Sequence, residues 1–187
     1  MTEPLRFASQ RAFESWLRKN HASADGAWLL IAKAGAEQAT VTYAQAVEAA
    51  LCHGWIDGQK KAFDAQHFLQ RFTPRRERSL WSKINREKVE ALIAAGRMQP
   101  AGLAEVERAK ADGRWDSAYD GARTAEVPPD LQAALDAKPK AKAFFARLDG
   151  ANRYSVLWRV QTAKKPETRA KRIETLVAML ARGEKIH

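Results

Sequence analysis

Apolar residues recur at three- and four-residue spacing over most of the chain, which is typical of amphipathic helices. The last of these segments has Ile173, Leu176, Val177 and Leu180 on one face. Capping residues or prolines precede several segments and glycines follow several others, as helix termini favour. The pattern therefore predicts eight helices. They cover residues 9–20, 42–54, 82–95, 101–112, 128–136, 139–148, 152–164 and 167–181.

The third of these helices has a defined beginning and an apolar stripe. Ser82 stands where its side chain could cap the first turn, and Gly96 follows the last turn. We expect four apolar side chains to face inward. They are Ile84, Val89, Leu92 and Ile93.

Three shorter apolar segments favour strands. Residues 27–34 form an apolar run bounded by glycines, which predicts a buried strand. Residues 55–63 and 67–73 predict a hairpin, and Pro74 ends its second strand. The fold class is therefore α+β and mainly helical. We expect a small antiparallel sheet of about three strands in the N-terminal part, followed by a C-terminal helical module.

The segment GRWDSAYDGARTAEVPPD between these parts is polar and contains repeated Gly and Pro. Such a composition is typical of a linker or a wrapping loop. We therefore predict an α+β domain over residues 1–125 and a helical module over residues 126–187.

The positive charge is concentrated in the predicted module. The formal net charge is +10, and residues 138–187 alone contain 13 Lys/Arg against 4 Asp/Glu. Such a balance favours an anionic partner, which could be a nucleic acid, an acidic protein, anionic lipid headgroups or an anionic small molecule. Arg169, Lys171 and Arg172 are the candidate partner-binding residues, and a merely solvated helix face is the alternative.

The sequence also indicates a compartment. Cys52 is the single cysteine, so no intrachain disulfide can form, and its apolar surroundings favour a buried, unreactive thiol. The first residues lack the apolar core of a signal peptide, and no apolar run is long enough to span a membrane. We expect a cytoplasmic protein that does not insert into membranes.

Polar and aromatic residues cluster in GWIDG (54–58) and RFTPRRERSLWSKIN (71–85). Guanidinium groups close to a helix N-terminus favour an anion, and arginine also stacks on tryptophan. The sequence therefore predicts an anion pocket. Its candidate residues are Trp55, Asp57, Arg71, Arg75, Trp81, Ser82 and Asn85. The alternative is structural, with Asp57 paired to Arg71 or Arg75.

Catalytic and cofactor motifs are weak by comparison. Cys52 and His53 are neighbours in a helix and point in different directions, which is poor geometry for a catalytic dyad. No histidine pair has metal-ligand spacing, and no glycine-rich phosphate loop occurs. We therefore predict no metal, no cofactor and no catalytic residue. An enzyme acting on a small anionic substrate, with Asp57 as general base, stays open as an alternative.

Several strings resemble one family of bacterial proteins. GWIDG, the TPR…SxWSxxN pattern and ETRxxRI are similar to motifs of the YdeI/OmpD-associated proteins, which are associated by name with bacteriocin protection. The resemblance extends over about residues 13–183. It implies protection from bacteriocins or cationic stress and supplies no catalytic residue or cofactor.

These observations favour a non-enzymatic cytoplasmic protein with a role in bacteriocin protection or in envelope or cationic stress tolerance. It would recognise an anionic ligand or an acidic partner. A nucleic-acid-binding protein that uses the basic C-terminal helices is the main alternative, because basic residues there alternate with Tyr154 and Trp158.

Overall fold

A computed structural model describes residues 3–187. Within these residues the chain forms eight helices and one three-stranded sheet, so the predicted α+β class is confirmed. The strands are β1 (Ala27–Ala32), β2 (Trp55–Ala62) and β3 (His67–Pro74). The helices are α1 (Gln10–Asn20), α2 (Tyr43–Cys52), α3 (Lys83–Ala94), α4 (Pro100–Ala111), α5 (Pro129–Asp136), α6 (Pro139–Ala146), α7 (Gly150–Gln161) and α8 (Pro166–Ala181).

The chain divides into two compact units. The first contains the described residues up to Trp81 together with Asn85–Ser117, and the second contains Ser82–Ile84 together with Ala118–His187. The sheet and most of α1 to α4 belong to the first unit, and α5 to α8 belong to the second. The sequence-based boundary at residue 125 stays a prediction.

The sheet is antiparallel in the order β1-β3-β2, so β3 is central. Side chains alternate between two faces along each strand. Leu29 and Phe72 lie on the inner face, which packs against α1 and α2 and is fully buried. Trp28 and Arg71, which are register partners, lie on the outer face and are half-buried. The predicted strand β1 is therefore confirmed, and it is fully buried at alternate residues, on one face of the sheet.

Aromatic side chains dominate the core of the first unit. Phe13 stacks on Trp16 at 6.2 Å, and Trp16 meets the edge of Trp55 at 5.8 Å. Phe72 brings the central strand into the same cluster, 5.7 Å from Phe13. Such ring pairs add about 0.5–1.5 kcal/mol each beyond the area that they bury. The cluster fixes α1 against the inner face.

The core of the second unit comes from one apolar stripe on each of its four helices. Its fully or almost fully buried members include Leu131, Leu135, Val156, Val160 and Leu180. The stripe predicted for α8 is confirmed, because Ile173, Leu176, Val177 and Leu180 are all buried.

Helix α3 departs from the predicted stripe. Val89 and Leu92 are buried as expected, but Ile84 and Ile93 are 45% and 40% exposed. Successive helical residues lie about 100° apart around the axis. Val89 and Leu92 therefore lie about 60° apart around the axis, with Ile93 about 40° beyond Val89 and Ile84 about 80° beyond Leu92 on the opposite side. The buried stripe of α3 is narrower than its apolar composition indicates.

Two side chains at the C-terminal end of α2 are buried. Burial raises the pKa of the Cys52 thiol to about 11, which agrees with the expected unreactive cysteine. His53 is 6% exposed and donates from Nδ1 to the carbonyl oxygen of Ala49 at 3.0 Å. Burial lowers the pKa of His53 below its ordinary value of 6.5.

We expect the protein to lose stability as the pH falls below about 6.5, because unfolded His53 takes up a proton before folded His53 does. The loss continues as the pH falls towards the lowered pKa of the folded state. Urea unfolding at pH 7.5, 6.5 and 5.5 should show it, and His53→Gln should flatten the profile between these values. If the variant lost as much free energy of unfolding between pH 7.5 and 5.5 as the wild type, the acid sensitivity would come from other groups.

None of the helices in residues 3–187 combines the length and apolar character needed to cross a membrane.

A candidate anion site at the end of the sheet

A cavity of about 600 Å³ opens in the first unit where β3 ends. Its lining comes from the residues before β1, from the middle of β2, and from the end of β3 and the residues after it. The lining residues are Asp25, Gly58, Gln59, Arg71, Thr73, Pro74, Arg75 and Arg76. We call this cavity the arginine pocket.

Strand alternation brings Arg71 and Thr73 to the arginine pocket. Phe72 between them lies on the inner face and is fully buried, so its two neighbours must lie on the outer face. Their guanidinium and hydroxyl groups are hydrogen-bond donors. The central strand therefore delivers two donors to one side of the cavity.

A β-bulge shapes the opposite wall. The pairing of β2 with β3 shifts register between Asp57 and Lys60, which leaves Gly58 and Gln59 outside the regular ladder. The buried amide of Gln70 donates to the carbonyl oxygens of Gly58 at 3.0 Å and Gln59 at 3.2 Å. These hydrogen bonds from the inner face hold the bulge in place. Since Gly58 and Gln59 line the pocket, they also hold its wall.

Arg75 is buried although it carries a charge, and two contacts position its guanidinium. It is 6% exposed, its guanidinium lies 3.5 Å from the ring centroid of Trp81, and it donates to the carbonyl oxygen of Leu80 at 3.2 Å. Arg114, which is also buried, donates to the carbonyl oxygen of Ser79 at 2.8 Å. Two buried arginines thus hold consecutive carbonyls of one turn, which carries the exposed Arg76.

Gly26 allows the close approach of the chain beside Arg71. Its φ of 146° disfavours other residues. A Cβ atom there would lie 2.9 Å from the carbonyl oxygen of Phe72 and 3.5 Å from Nε of Arg71. A side chain at this position would collide with the backbone of Phe72 and with Cγ2 of Thr73, which is also 2.9 Å away.

The charge balance of the lining favours an anion. Arg71, Arg75 and Arg76 contribute three guanidinium groups, and Asp25 contributes the one carboxylate of the lining. Arginine presents several N–H donors in a planar fork that matches phosphate and carboxylate oxygens. The arrangement is suited to holding a small or extended anion at the surface.

Two predicted site residues lie on the other face of the sheet. Trp55 is 1% exposed and donates from its indole nitrogen to the carbonyl oxygen of His21 at 3.1 Å, so it is a core residue. Asp57 is the register partner of Phe72 and accepts a 2.6 Å hydrogen bond from the hydroxyl of Tyr43. The sheet therefore separates Asp57 from Arg71, and the expected pairing between them does not form.

Three further predicted residues follow the pocket in sequence and do not line it. Trp81 supports Arg75 from below. Ser82 precedes α3 and bridges to Tyr119 within the second unit. Asn85 lies in the first turn of α3 and is half-buried. Of the predicted pocket residues, the structure thus brings Arg71 and Arg75 together at the cavity.

The predicted partner-binding arginines are used inside the second unit. Arg169 donates two hydrogen bonds to the carboxylate of Asp130, from Nε to Oδ2 at 2.6 Å and from NH2 to Oδ1 at 2.8 Å. Arg169 and Arg172 also donate to the backbone carbonyls of Val160 and Arg159, at 2.9 and 2.7 Å. They satisfy the last carbonyls of α7, and Lys171 alone of the three is exposed. The remaining partner-binding hypothesis thus rests on Lys171.

A larger groove in the second unit, of about 880 Å³, lies beside the Arg169–Asp130 pair. Its floor is Ile173 and Val177, and alanines form much of its walls. The charged lining residues are two cations, Lys138 and Arg169, and two carboxylates, Asp130 and Glu174, so their charges balance and do not favour an anion.

Sequence reasoning missed Asp25, Gly58 and Gln59 as lining residues, and Tyr43 as the partner of Asp57. A signal existed in Gly26 and Gly58, because glycines beside strands mark bulges and close approaches. Tyr43 had no such signal, because its contact joins α2 to a strand through the fold. Among residues 3–187 no group of three or more His, Cys, Asp or Glu is placed to hold a metal ion.

Fold and pocket together define an α+β protein with an arginine-lined surface site. A family described as "Domain of unknown function (DUF8412)" matches residues 5–105, more than half of the chain, and the chain belongs to this family. A second family, "Bacteriocin-protection, YdeI or OmpD-Associated", matches residues 124–183 and confirms the resemblance there. The resemblance expected for the N-terminal motifs falls instead within the first family. No curated protein and no solved structure matches the chain.

Proposed function

We propose that this protein is a non-enzymatic binding protein that recognises an anionic ligand in the arginine pocket. One observation carries the proposal: Arg71, Arg75 and Arg76 converge on a single cavity whose lining includes one carboxylate. Arg75 is also buried and fixed by Trp81, so part of the site is organised before any ligand binds.

The biological setting comes from the second family match. Similarity of residues 124–183 to the "Bacteriocin-protection, YdeI or OmpD-Associated" family supports an association with bacteriocin protection at the level of the family. A cytoplasmic location, in which the single buried Cys52 stays reduced, is part of the same proposal. Envelope or cationic stress tolerance is the condition in which we expect the ligand to matter.

The catalytic alternative receives less support from the geometry. A general base must come within hydrogen-bond reach of the group that it deprotonates. Asp57 lies on the inner face, bonded to Tyr43, whereas the arginine pocket opens beside Arg71 on the outer face. A substrate anion bound by the arginines would therefore lie across the sheet from the proposed base.

We expect Arg71→Gln to weaken binding of inorganic pyrophosphate about tenfold or more, because a hydrogen bond to a charged group is lost. Isothermal titration calorimetry at low salt measures the affinity. Arg78→Gln is the matched control, since Arg78 is exposed on the same turn but does not line the pocket.

Equal losses in Arg71→Gln and Arg78→Gln would show that pyrophosphate responds only to net charge. No binding by the wild-type protein would contradict the proposal outright. Because Gln retains hydrogen-bonding groups and much of the side-chain volume, both variants should unfold cooperatively at nearly the wild-type temperature.

A further inference from the structure

The arginine pocket contains opposite charges that do not neutralise each other. Asp25 lines the cavity together with its three arginines. Within residues 3–187, the side chains of Asp25, Arg71 and Arg76 form no hydrogen bond or ion pair. Asp25 and Arg76 are also exposed. A carboxylate acceptor and guanidinium donors are therefore open to a ligand in the same cavity.

The segment before β1 brings Asp25 to this cavity. A Cβ atom on Gly26 would lie 3.5 Å from Nε of Arg71, so the chain directly after Asp25 passes beside this guanidinium. Arg71 in turn lies against its register partner Trp28, with the guanidinium 5.9 Å from the ring centroid. The close approach at Gly26 thus holds the carboxylate near the arginine without pairing the two side chains.

The neutral part of the lining is polar. Thr73 contributes a hydroxyl and Gln59 an amide, and each of these groups both donates and accepts hydrogen bonds. None of the described residues that line the pocket is aromatic. The lining therefore complements hydroxyl groups better than it complements a flat apolar ring.

The charge of the lining matches a phosphate monoester. Three guanidinium groups and one carboxylate give the lining a formal charge of +2. A phosphate monoester carries about −1.5 to −2 at pH 7 and offers three acceptor oxygens. A zwitterion without net charge would leave the excess of positive charge unbalanced.

A hydroxyl group suits Asp25 better than an ammonium group does. The carboxylate would attract an ammonium, but the three guanidinium groups of the same cavity would repel it. A hydroxyl is neutral and can donate to Asp25 without this repulsion. The free carboxylate therefore favours a ligand that carries hydroxyl groups in addition to its phosphate.

The size of the cavity favours a ligand larger than a free phosphate. Its volume of about 600 Å³ lies within the range of about 300–1,000 Å³ that is common for small-molecule sites. A phosphate group on the arginines would fill only a small part of this volume. The remaining space is sufficient for a sugar ring.

We propose that the arginine pocket binds a phosphate monoester of a polyhydroxylated molecule such as a sugar, with the phosphate on the arginines and a hydroxyl donating to Asp25. The inference rests on the proposed anion site, because the phosphate uses the same arginines. It adds Asp25 as the residue that selects a hydroxylated ligand.

The test is isothermal titration calorimetry of the full-length protein at pH 7.5 and low salt, with two phosphate esters. Glucose 6-phosphate carries ring hydroxyls, and cyclohexylmethyl phosphate has a ring of the same size without them. We expect glucose 6-phosphate to bind about tenfold more tightly, because a site that pairs with hydroxyls discriminates against an analogue that lacks them.

Asp25→Asn should change two affinities differently. Its affinity for glucose 6-phosphate should fall about fivefold, because a charge-assisted hydrogen bond becomes a neutral one. Its affinity for pyrophosphate should stay the same or rise, because a negative charge near the arginines is removed. Glu77→Gln is the matched control. It removes a carboxylate from an exposed residue that follows Arg76 and does not line the pocket, so both affinities should change equally or not at all.

The outcomes separate this inference from the anion site. Pyrophosphate binding that depends on Arg71, without a preference for glucose 6-phosphate over cyclohexylmethyl phosphate, would overturn the inference and leave the anion site standing. A preference that persists unchanged in Asp25→Asn would also overturn it. If Asp25→Asn weakened binding of aminoethyl phosphate but not of glucose 6-phosphate, Asp25 would recognise an ammonium group and the inference would fail. Failure of pyrophosphate and both esters to bind would overturn both proposals.

Discussion

Replacing Gly102 by alanine is expected to destabilise the protein by about 2–3 kcal/mol, although alanine is the better helix former. Gly102 lies in the first turn of α4, where that helix meets the end of α2. An added Cβ atom would collide with the carbonyl oxygen of Cys52 and lie 2.8 Å from its carbonyl carbon. The obstacle is backbone, so α4 must shift. Urea unfolding measures the loss.

Gly150→Ala is the matched control for this prediction. Gly150 also begins a helix, α7, and nothing lies within 4 Å of the position that its Cβ atom would occupy. This variant should be neutral or slightly more stable, since alanine lowers the entropy of the unfolded chain. If Gly102→Ala were as stable as Gly150→Ala, α4 could not pack as closely against α2 as described here.

Replacing Arg169 by methionine is expected to cost about 2 kcal/mol, which is large for a partly exposed arginine. The side chain is 28% exposed and joins three elements: its own helix α8, Asp130 in α5 and the carbonyl oxygen of Val160 in α7. Hydrogen bonds from Arg169 hold the pKa of Asp130 below its ordinary value of 3.8, so the pair is ionised at neutral pH.

A double-mutant cycle with Asp130→Asn isolates the pair from the contact to Val160. We expect a coupling energy of about 1 kcal/mol between the two side chains, because a two-point arginine–carboxylate contact exceeds an ordinary surface pair. Lys171→Met is the control, since Lys171 is exposed on the same helix. Equal stability of Arg169→Met and Lys171→Met would mean that the basic face of α8 is merely solvated.

The secondary structure followed from local patterns. Threonine caps α2 in a full capping box with Gln45, and prolines begin α5, α6 and α8 as their N-terminal residues. Helix α3 was harder, because apolar Ile84 and Ile93 are exposed. Periodicity identifies a helix from all its apolar residues, but the width of the buried stripe depends on which neighbours pack against it.

The candidate site was predicted only in part. Successive residues of a strand point to opposite faces of the sheet, so residues that are close in sequence can lie on different faces. Arg71 lines a cavity on the outer face, whereas Trp55 and Asp57 share the inner face with Phe72. The register that puts Asp57 opposite Phe72 depends on the bulge at Gly58 and Gln59. That bulge is fixed by buried Gln70, a contact between two strands that the sequence pattern did not reveal.

In the basic helical module, the charge pattern of the sequence likewise predicted the contacts only in part. Composition identified an excess of arginine and lysine but not which of them are already engaged. Arg169 and Arg172 complete the hydrogen bonding of carbonyls at the end of α7, where no further turn of helix supplies donors. The two arginines of the ETRxxRI string are therefore explained by contacts between helices within the second unit.

The most direct test of the anion site is a titration with pyrophosphate followed by NMR of the arginine Nε–Hε groups. We expect the signals of Arg71, Arg75 and Arg76 to shift together and saturate, while those of Arg169 and Arg172 stay in place. Assignment by single Arg→Lys or Arg→Gln variants identifies each signal. Shifts confined to Arg169 and Arg172, or weak shifts spread over all exposed arginines without saturation, would contradict a specific site in the arginine pocket.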